Sequence, residues 1–385
     1  MKPQLRFFAT FLLCALAASS AAAQQIGRFV PIAAGSDEDK ALTEINAASD
    51  PAQKLALIDK FSANLGKGDM AAVADELYVN YYIGQKNYDK AFEYGDKLFA
   101  VDPDNFNNVV NMVRAANEKG DPDKTLAYGE KAGPILQRFK ATPPPDGTEK
   151  DVWERQKSNT LDANKDNIRY VEESVYMVDY RNTNPMKRAA ALTHFAELFP
   201  DSPYATQALG VAATSYQQAQ NTPKMLEVAN GLLTKDPNNI GMLLLLSDYY
   251  SEKGEQLDKA ETSAKKAVDL LGSAQKPEGV TDEQWQQQVS LQKGLALSAL
   301  GQVNIQKKDN ASAVDNFKTA APLLKQDANS YGRNQYRLGF ALLNLKRNAE
   351  AKDAFTQAAS VNSPYKALAE AKLKTFAAAN SAKKS

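Results

Sequence analysis

Asp89-Lys90-Ala91-Phe92-Glu93-Tyr94-Gly95-Asp96-Lys97 returns 34 positions later as Asp123-Lys124-Thr125-Leu126-Ala127-Tyr128-Gly129-Glu130-Lys131, with five identities. A fixed period of this length marks one supersecondary unit that cannot bury its apolar face alone, so neighbouring units must stack. The first copy lies within one clear unit, from about Val73 to Asn105. Leu77-Tyr78-Val79-Asn80-Tyr81-Tyr82-Ile83 is apolar and aromatic at helical spacing, Gly84-Gln85-Lys86-Asn87 interrupts it, and Asp89 to Ala100 resumes it. Asp102-Pro103 ends the second helix, because the residue before proline disfavours the α region. The next unit predicts Val109 to Lys119, a Gly120-Asp121-Pro122 turn, and one continuous second helix from Lys124 to Leu136.

The spacing of small and aromatic residues resembles the tetratricopeptide repeat. Ala91, Leu98 and Pro103 occupy matching positions in the first unit, with Gly95 in place of the usual aromatic, and Thr125 and Ala132 do so in the second. Ala213, Tyr216, Leu232 and Pro237 match further on, as do Ser247, Tyr250, Ala260, Ala264 and Ala267 once one residue is inserted. Gly301, Ala313, Phe317 and Ala320 mark a later unit, and Gly339, Leu342, Ala351, Phe355 and Ala358 the last. The resemblance implies an all-α fold, a right-handed superhelical solenoid of antiparallel helix pairs with about seven to eight units. Small residues let helix axes approach, and Tyr82, Tyr216, Tyr250, Phe317 and Phe355 read as core aromatics filling the gaps beside them.

Around this array, 71–363, the sequence divides into further segments. Residues 1–23 carry a basic start, an apolar run from Phe7 to Ala18 and an Ala21-Ala22-Ala23 stop, the pattern of a secretory signal peptide cleaved after Ala23. Residues 24–38 read as a flexible linker and 39–70 as a degenerate helix pair, with Asp50-Pro51 as a helix start. Residues 364–380 suit a C-terminal capping helix, and 381–385 a disordered polar tail. Two insertions, near 143–156 and 275–288, align with each other at an offset of 132 and carry the two tryptophans, Trp153 and Trp285. Each is expected to be a turn opening an extended first helix, and Thr281 with Gln284 forms a capping box.

Cleavage would remove Cys14, Lys2 and Arg6, leaving 44 basic against 46 acidic residues and a net charge of −2 with His194 neutral. No disulfide framework or thiolate metal site is then available, and no basic excess favours nucleic acid. Nothing after Ala23 is apolar over the length a membrane span needs. The mature chain is therefore expected in the periplasm or outside the cell. Phe199-Pro200-Asp201-Ser202-Pro203-Tyr204-Ala205 is similar to repeat junctions of envelope-assembly members of the family.

No catalytic signature is present: no nucleophile elbow, no phosphate-binding loop and no paired zinc histidines. His194 reads as a structural histidine, and the expectation is a non-catalytic protein with no cofactor and no metal. Asp162-Ala163-Asn164-Lys165-Asp166 with Glu173 partly imitates a calcium loop, but Asn167 stands where the turn glycine belongs and helical spacing runs through the stretch.

The binding surface expected from the repeat is the concave groove lined by first helices, with Asn80, Asn107, Asn111, Arg114, Asn117, Gln217, Asp248, Gln302, Arg333, Tyr336 and Asn344 as its lining. Side-chain amides both donate and accept, which suits an extended peptide backbone. Asn80 and Asn111 match the asparagines with which some family members hold a peptide C-terminal carboxylate. The basic residues of that clamp do not follow, since Glu76, Ala141 and Pro145 stand in their places. The expected function is a protein–protein interaction scaffold or assembly factor of the bacterial cell envelope, holding a protein or peptide partner, with oligomeric state open. The alternative is a glycan- or peptidoglycan-associated protein that uses Trp153 and Trp285 as stacking surfaces.

Overall fold

The computed structural model describes residues 25–382, with side chains as far as Phe376. The signal peptide read over residues 1–23, its cleavage point before Gln24, and residues 383–385 of the expected tail lie outside the described residues. Among the described residues the structure is helical throughout, with no strand. It divides into two compact units, one reaching to Ala208 and the other beginning at Leu209.

The first unit holds α1 (Asp37–Ala47), α2 (Pro51–Asn64), α3 (Met70–Gly84), α4 (Tyr88–Val101), α5 (Phe106–Lys119), α6 (Pro122–Gly129), α7 (Ala132–Ala141), α8 (Lys150–Tyr180) and α9 (Pro185–Leu198). Most successive helices pack on one another, whereas α6 and α7 both pack on α8, and the first helices α3, α5 and α8 also touch one another in turn. The turn chemistry explains the boundaries. Asn87 and Asp121 each cap the following helix by accepting an amide from the third residue on. Gly120, at φ 73°, ends α5 in the left-handed conformation. Asp50 with Pro51 opens α2 as expected.

Three features differ from the expectations. The second helix after Pro122 is not continuous to Leu136 but breaks at Glu130 and Lys131. Pro134 supplies the reason: it has no amide for the Glu130 carbonyl and its ring crowds that oxygen, whereas proline is accepted in the first turn of a new helix. The segment expected as a flexible linker is docked at its start, where Ile26 is buried, and α1 already begins at Asp37. The helix at the C-terminus continues to Ala382, two residues past the expected end.

The second unit takes most of α10 (Ala205–Gln218), then α11 (Thr222–Lys235), α12 (Ile240–Lys253), α13 (Leu257–Ser273), α14 (Asp282–Gln306), α15 (Asn310–Leu324), α16 (Ala328–Asn344), α17 (Asn348–Ser360) and α18 (Lys366–Ala382). From α12 onward each helix packs on the next, and α14 also touches α12 and α16. Ala313, Phe317, Leu342, Ala351, Phe355 and Ala358 form one buried cluster, which Ala369 of α18 joins. The register read from the sequence thus places the small residues and aromatics of the last two units in the core, and α18 covers its end.

The insertions do open long first helices: α8 runs for 31 residues and α14 for 25. The Thr281–Gln284 capping box is formed. Buried amides tie first helices to the second helix before them. Asn108 Nδ2 donates to the Gly95 carbonyl at 2.8 Å, and Asn334 Nδ2 to that of Phe317 at 2.9 Å.

At the α16–α17 crossing, a Cβ added to Gly339 would lie 2.7 Å from the Phe355 ring, which is fully buried. Gly339→Leu is expected to cost about 1–3 kcal/mol through overpacking, read as a lowered denaturant midpoint. An unchanged midpoint would refute the close packing at this crossing.

Candidate functional site

The residues expected to line a groove divide into those the fold leaves available and those it uses internally. In the first unit Asn80 on α3 and Asn107 and Arg114 on α5 are exposed, and Asn111 is half-buried. Positions 107, 111 and 114 recur at three and four residues, so they share one face of α5. Asn111 Nδ2 donates to Asn80 Oδ1 at 3.3 Å, bridging α3 and α5. The bridge aligns two amides while leaving further donors and acceptors on both.

Asn117 differs. Its Nδ2 donates to Tyr170 Oη and Ser174 Oγ of α8, both at 2.9 Å, and its Oδ1 accepts from Thr125 Oγ1 at 2.9 Å. It fastens α5 to the long helix. Glu76, half-buried on α3, has its pKa raised by burial and by the nearby Asp102 carboxylate. An acid in that setting is the wrong neighbour for a peptide carboxylate.

In the second unit most of the expected lining is already partnered. Arg333 of α16 meets Asp248 of α12 at 3.0 Å, and the buried guanidinium of Arg337, one turn on, pairs with Glu252. Asn344 Nδ2 donates to Asn310 Oδ1 at 2.9 Å. Tyr336 is held among Phe340, Phe355 and Tyr365, with ring centroids 5.0 to 5.6 Å apart. Gln302 is half-buried on α14, and Gln217 is exposed on α10. Sequence spacing finds first-helix positions but does not distinguish a residue facing a ligand from one facing another helix of the array.

Both tryptophans are half-buried. Trp153 donates its indole N–H to the Thr142 carbonyl at 2.8 Å. One turn later the buried Lys157 donates Nζ to the carbonyls of Lys140 at 2.7 Å and Thr142 at 3.3 Å and pairs with Glu154. A cation on the last carbonyls of α7 satisfies acceptors that the helix leaves open and complements its dipole. Trp153 and Lys157 thus staple the start of α8 to the end of α7. Lys157 was not singled out from the sequence, and only its four-residue spacing from Trp153 marks it there. Trp285 lies on the first turn of α14, in the other unit.

The stretch resembling a calcium loop, from Asp162 to Glu173, is continuous helix within α8. Among the described residues, no three His, Cys, Asp or Glu side chains gather as metal ligands would. His194 is exposed and lies 3.7 Å from Glu197.

Asp179 is buried near the end of α8. Burial, reinforced by Glu130 and opposed by His194, pushes its pKa up to about 7. Between the ordinary carboxylate range and pH 7, the folded chain therefore holds a proton the unfolded chain has lost, so stability falls as pH rises through that window. Asp179→Asn is expected to melt higher than the wild type at pH 8, with the gap shrinking toward pH 5. A gap independent of pH would show that Asp179 does not titrate in this window.

Residues 332–365, the unit containing Gly339 and Phe355, match the family model described as "Tetratricopeptide repeat". The resemblance read from the sequence is shown at that unit. No curated protein matches the chain. Among solved structures, the chain is similar to the APC/C hetero-tetramer Cut9–Hcn1 at 14% identity, covering 88% of this chain and 63% of that one, with a TM-score of 0.43. The present chain therefore spans less than two thirds of that structure's length. NprR in complex with its cognate peptide NprX is similar at 16% identity, covering 88% and 81%, with a TM-score of 0.31. Yeast Tom70 is similar at 11% identity, covering 90% and 95%, with a TM-score of 0.33.

Proposed function

We propose that this chain is a non-catalytic interaction scaffold of the bacterial cell envelope, capturing a protein or peptide partner on the inner helices of its first unit. The observation carrying this reading is the exposed group of Asn80, Asn107 and Arg114 around the Asn80–Asn111 bridge. Three amides and one guanidinium on two adjacent helices offer donors and acceptors to an extended backbone, and the arginine adds a charge-assisted donor for a carboxylate or carbonyl. The corresponding face of the second unit contributes less, because Asp248, Arg333 and Asn344 are committed to partners within the fold.

The decisive experiment is affinity co-purification from an envelope fraction, with the mature chain as bait. Asn80→Ala, Asn111→Ala and Arg114→Ala combined should reduce capture about tenfold or more, since each lost bond is worth about 0.5–1.5 kcal/mol, while circular dichroism stays unchanged. Undiminished capture would remove the site from these helices.

Export rests on the basic start, the Phe7–Ala18 run and the Ala21-Ala22-Ala23 stop. Mass spectrometry of the protein from its native source should give Gln24 as the first residue. A chain still beginning at Met1 in a cytoplasmic fraction would overturn it.

A further inference from the structure

The strap from Gln25 to Arg28 is bound to the first unit through its backbone. Ile26 is 3% exposed, and its carbonyl accepts the amide of Phe106 at 3.0 Å, a first-turn donor of α5 that has no partner within the helix. The amide of Arg28 donates at 3.1 Å to Oδ2 of Asp102, a carboxylate 4% exposed. The Arg28 guanidinium pairs with Asp69. Gly27 sits between these bonds at φ 126°, where an added Cβ would come within 3.0 Å of Asn105 Cα and the Asp104 carbonyl oxygen. A strained backbone and tight walls coincide there, so glycine is required.

Main-chain bonds on both sides, one buried apolar side chain and a glycine-only step are the means by which proteins hold extended peptides. Beside the strap lies a recess of about 380 Å³, walled by Ile135, Phe139 and Trp153. Asp104 and Arg138, paired with each other, also line it. Gln25 borders this space but turns its side-chain amide back to the Arg28 carbonyl at 3.3 Å. The apolar wall therefore faces a polar residue that does not fill it.

We propose that this cleft is a peptide-binding site occupied in cis by residues 25–28. Its partner is an extended peptide of pattern apolar–Ile–Gly–Arg, whose first side chain enters the recess against Trp153. The strap is an inhibitory occupant, and a peptide with an apolar first residue displaces it. The proposal rests on the reading that the chain binds peptides, but it puts this site at the α4–α5 corner, on residues other than Asn80 and Asn111.

The test uses acetyl-Leu-Ile-Gly-Arg-amide on the full mature chain, with Gly27→Val as the variant that expels the strap while leaving every cleft residue in place. By fluorescence anisotropy of the labelled peptide, Gly27→Val should bind at least tenfold tighter than the wild type. The peptide carrying valine for glycine should bind neither chain. Trp153→Ala in the Gly27→Val background should reduce the affinity for the leucine peptide to that for the peptide beginning with glutamine.

A second measurement needs no variant. Phe29 itself is exposed, but chymotryptic cleavage after it must draw Ile26 to Arg28 into the protease cleft, so excess peptide should accelerate it in the wild type. Rapid cleavage in Gly27→Val with no peptide binding would make the strap a structural clasp and overturn the proposal, as would wild-type cleavage that the peptide leaves unchanged. Peptide binding is read separately from envelope capture, so either can fail alone.

Discussion

An atom added at Gly301 would lie 2.6 Å from the Phe317 ring, and one added at Gly339 would lie 2.7 Å from that of Phe355. Each pair of helices can close around its aromatic only because the facing position lacks a side chain. The same arrangement recurs with other partners in the first unit, where Gly95 faces Met112 and Gly129 faces Val175. Everything downstream depends on this clearance: the aromatics are buried because the helices meet, and the next pair stacks because the aromatics are buried. The exposed amides of α5 are held at fixed spacing because the helix beneath them has one seat.

This constraint is also why so much of the fold was legible in the sequence. A small residue opposite a large one, repeated at a fixed interval with Asn or Asp capping the intervening turns, leaves a periodic trace that needs no tertiary knowledge. Gly301, Phe317, Gly339 and Phe355 were readable in that way, and so was the capping box at Thr281. The break before Ala132 has its signal in the sequence at Pro134, whose missing amide ends a helix even though it leaves the apolar periodicity uninterrupted. The docking of Ile26 was invisible for a different reason. It depends on Phe106, far along the chain, having an amide to spare.

The candidate site was legible only in part. Periodicity identifies the inner face of a first helix, so Asn80, Asn107, Asn111 and Arg114 were found together. It cannot identify what stands opposite. Arg333 and Asp248 are 85 residues apart, and Asn117 meets Ser174 across 57. Such partners become known only when the helices are placed, and the same polar face then separates into surface and strut.

The Arg333–Asp248 and Arg337–Glu252 bridges have a consequence for how the second unit comes apart. In a stack of pairs, each unit is coupled mainly to the one beside it, and the array can fray from an end. These two bridges leap over the α14–α15 pair and join α12 directly to α16. They add a coupling beyond nearest neighbours, so the helices between should open together or not at all. That stretch is where amide exchange should report one shared opening free energy in place of a gradient.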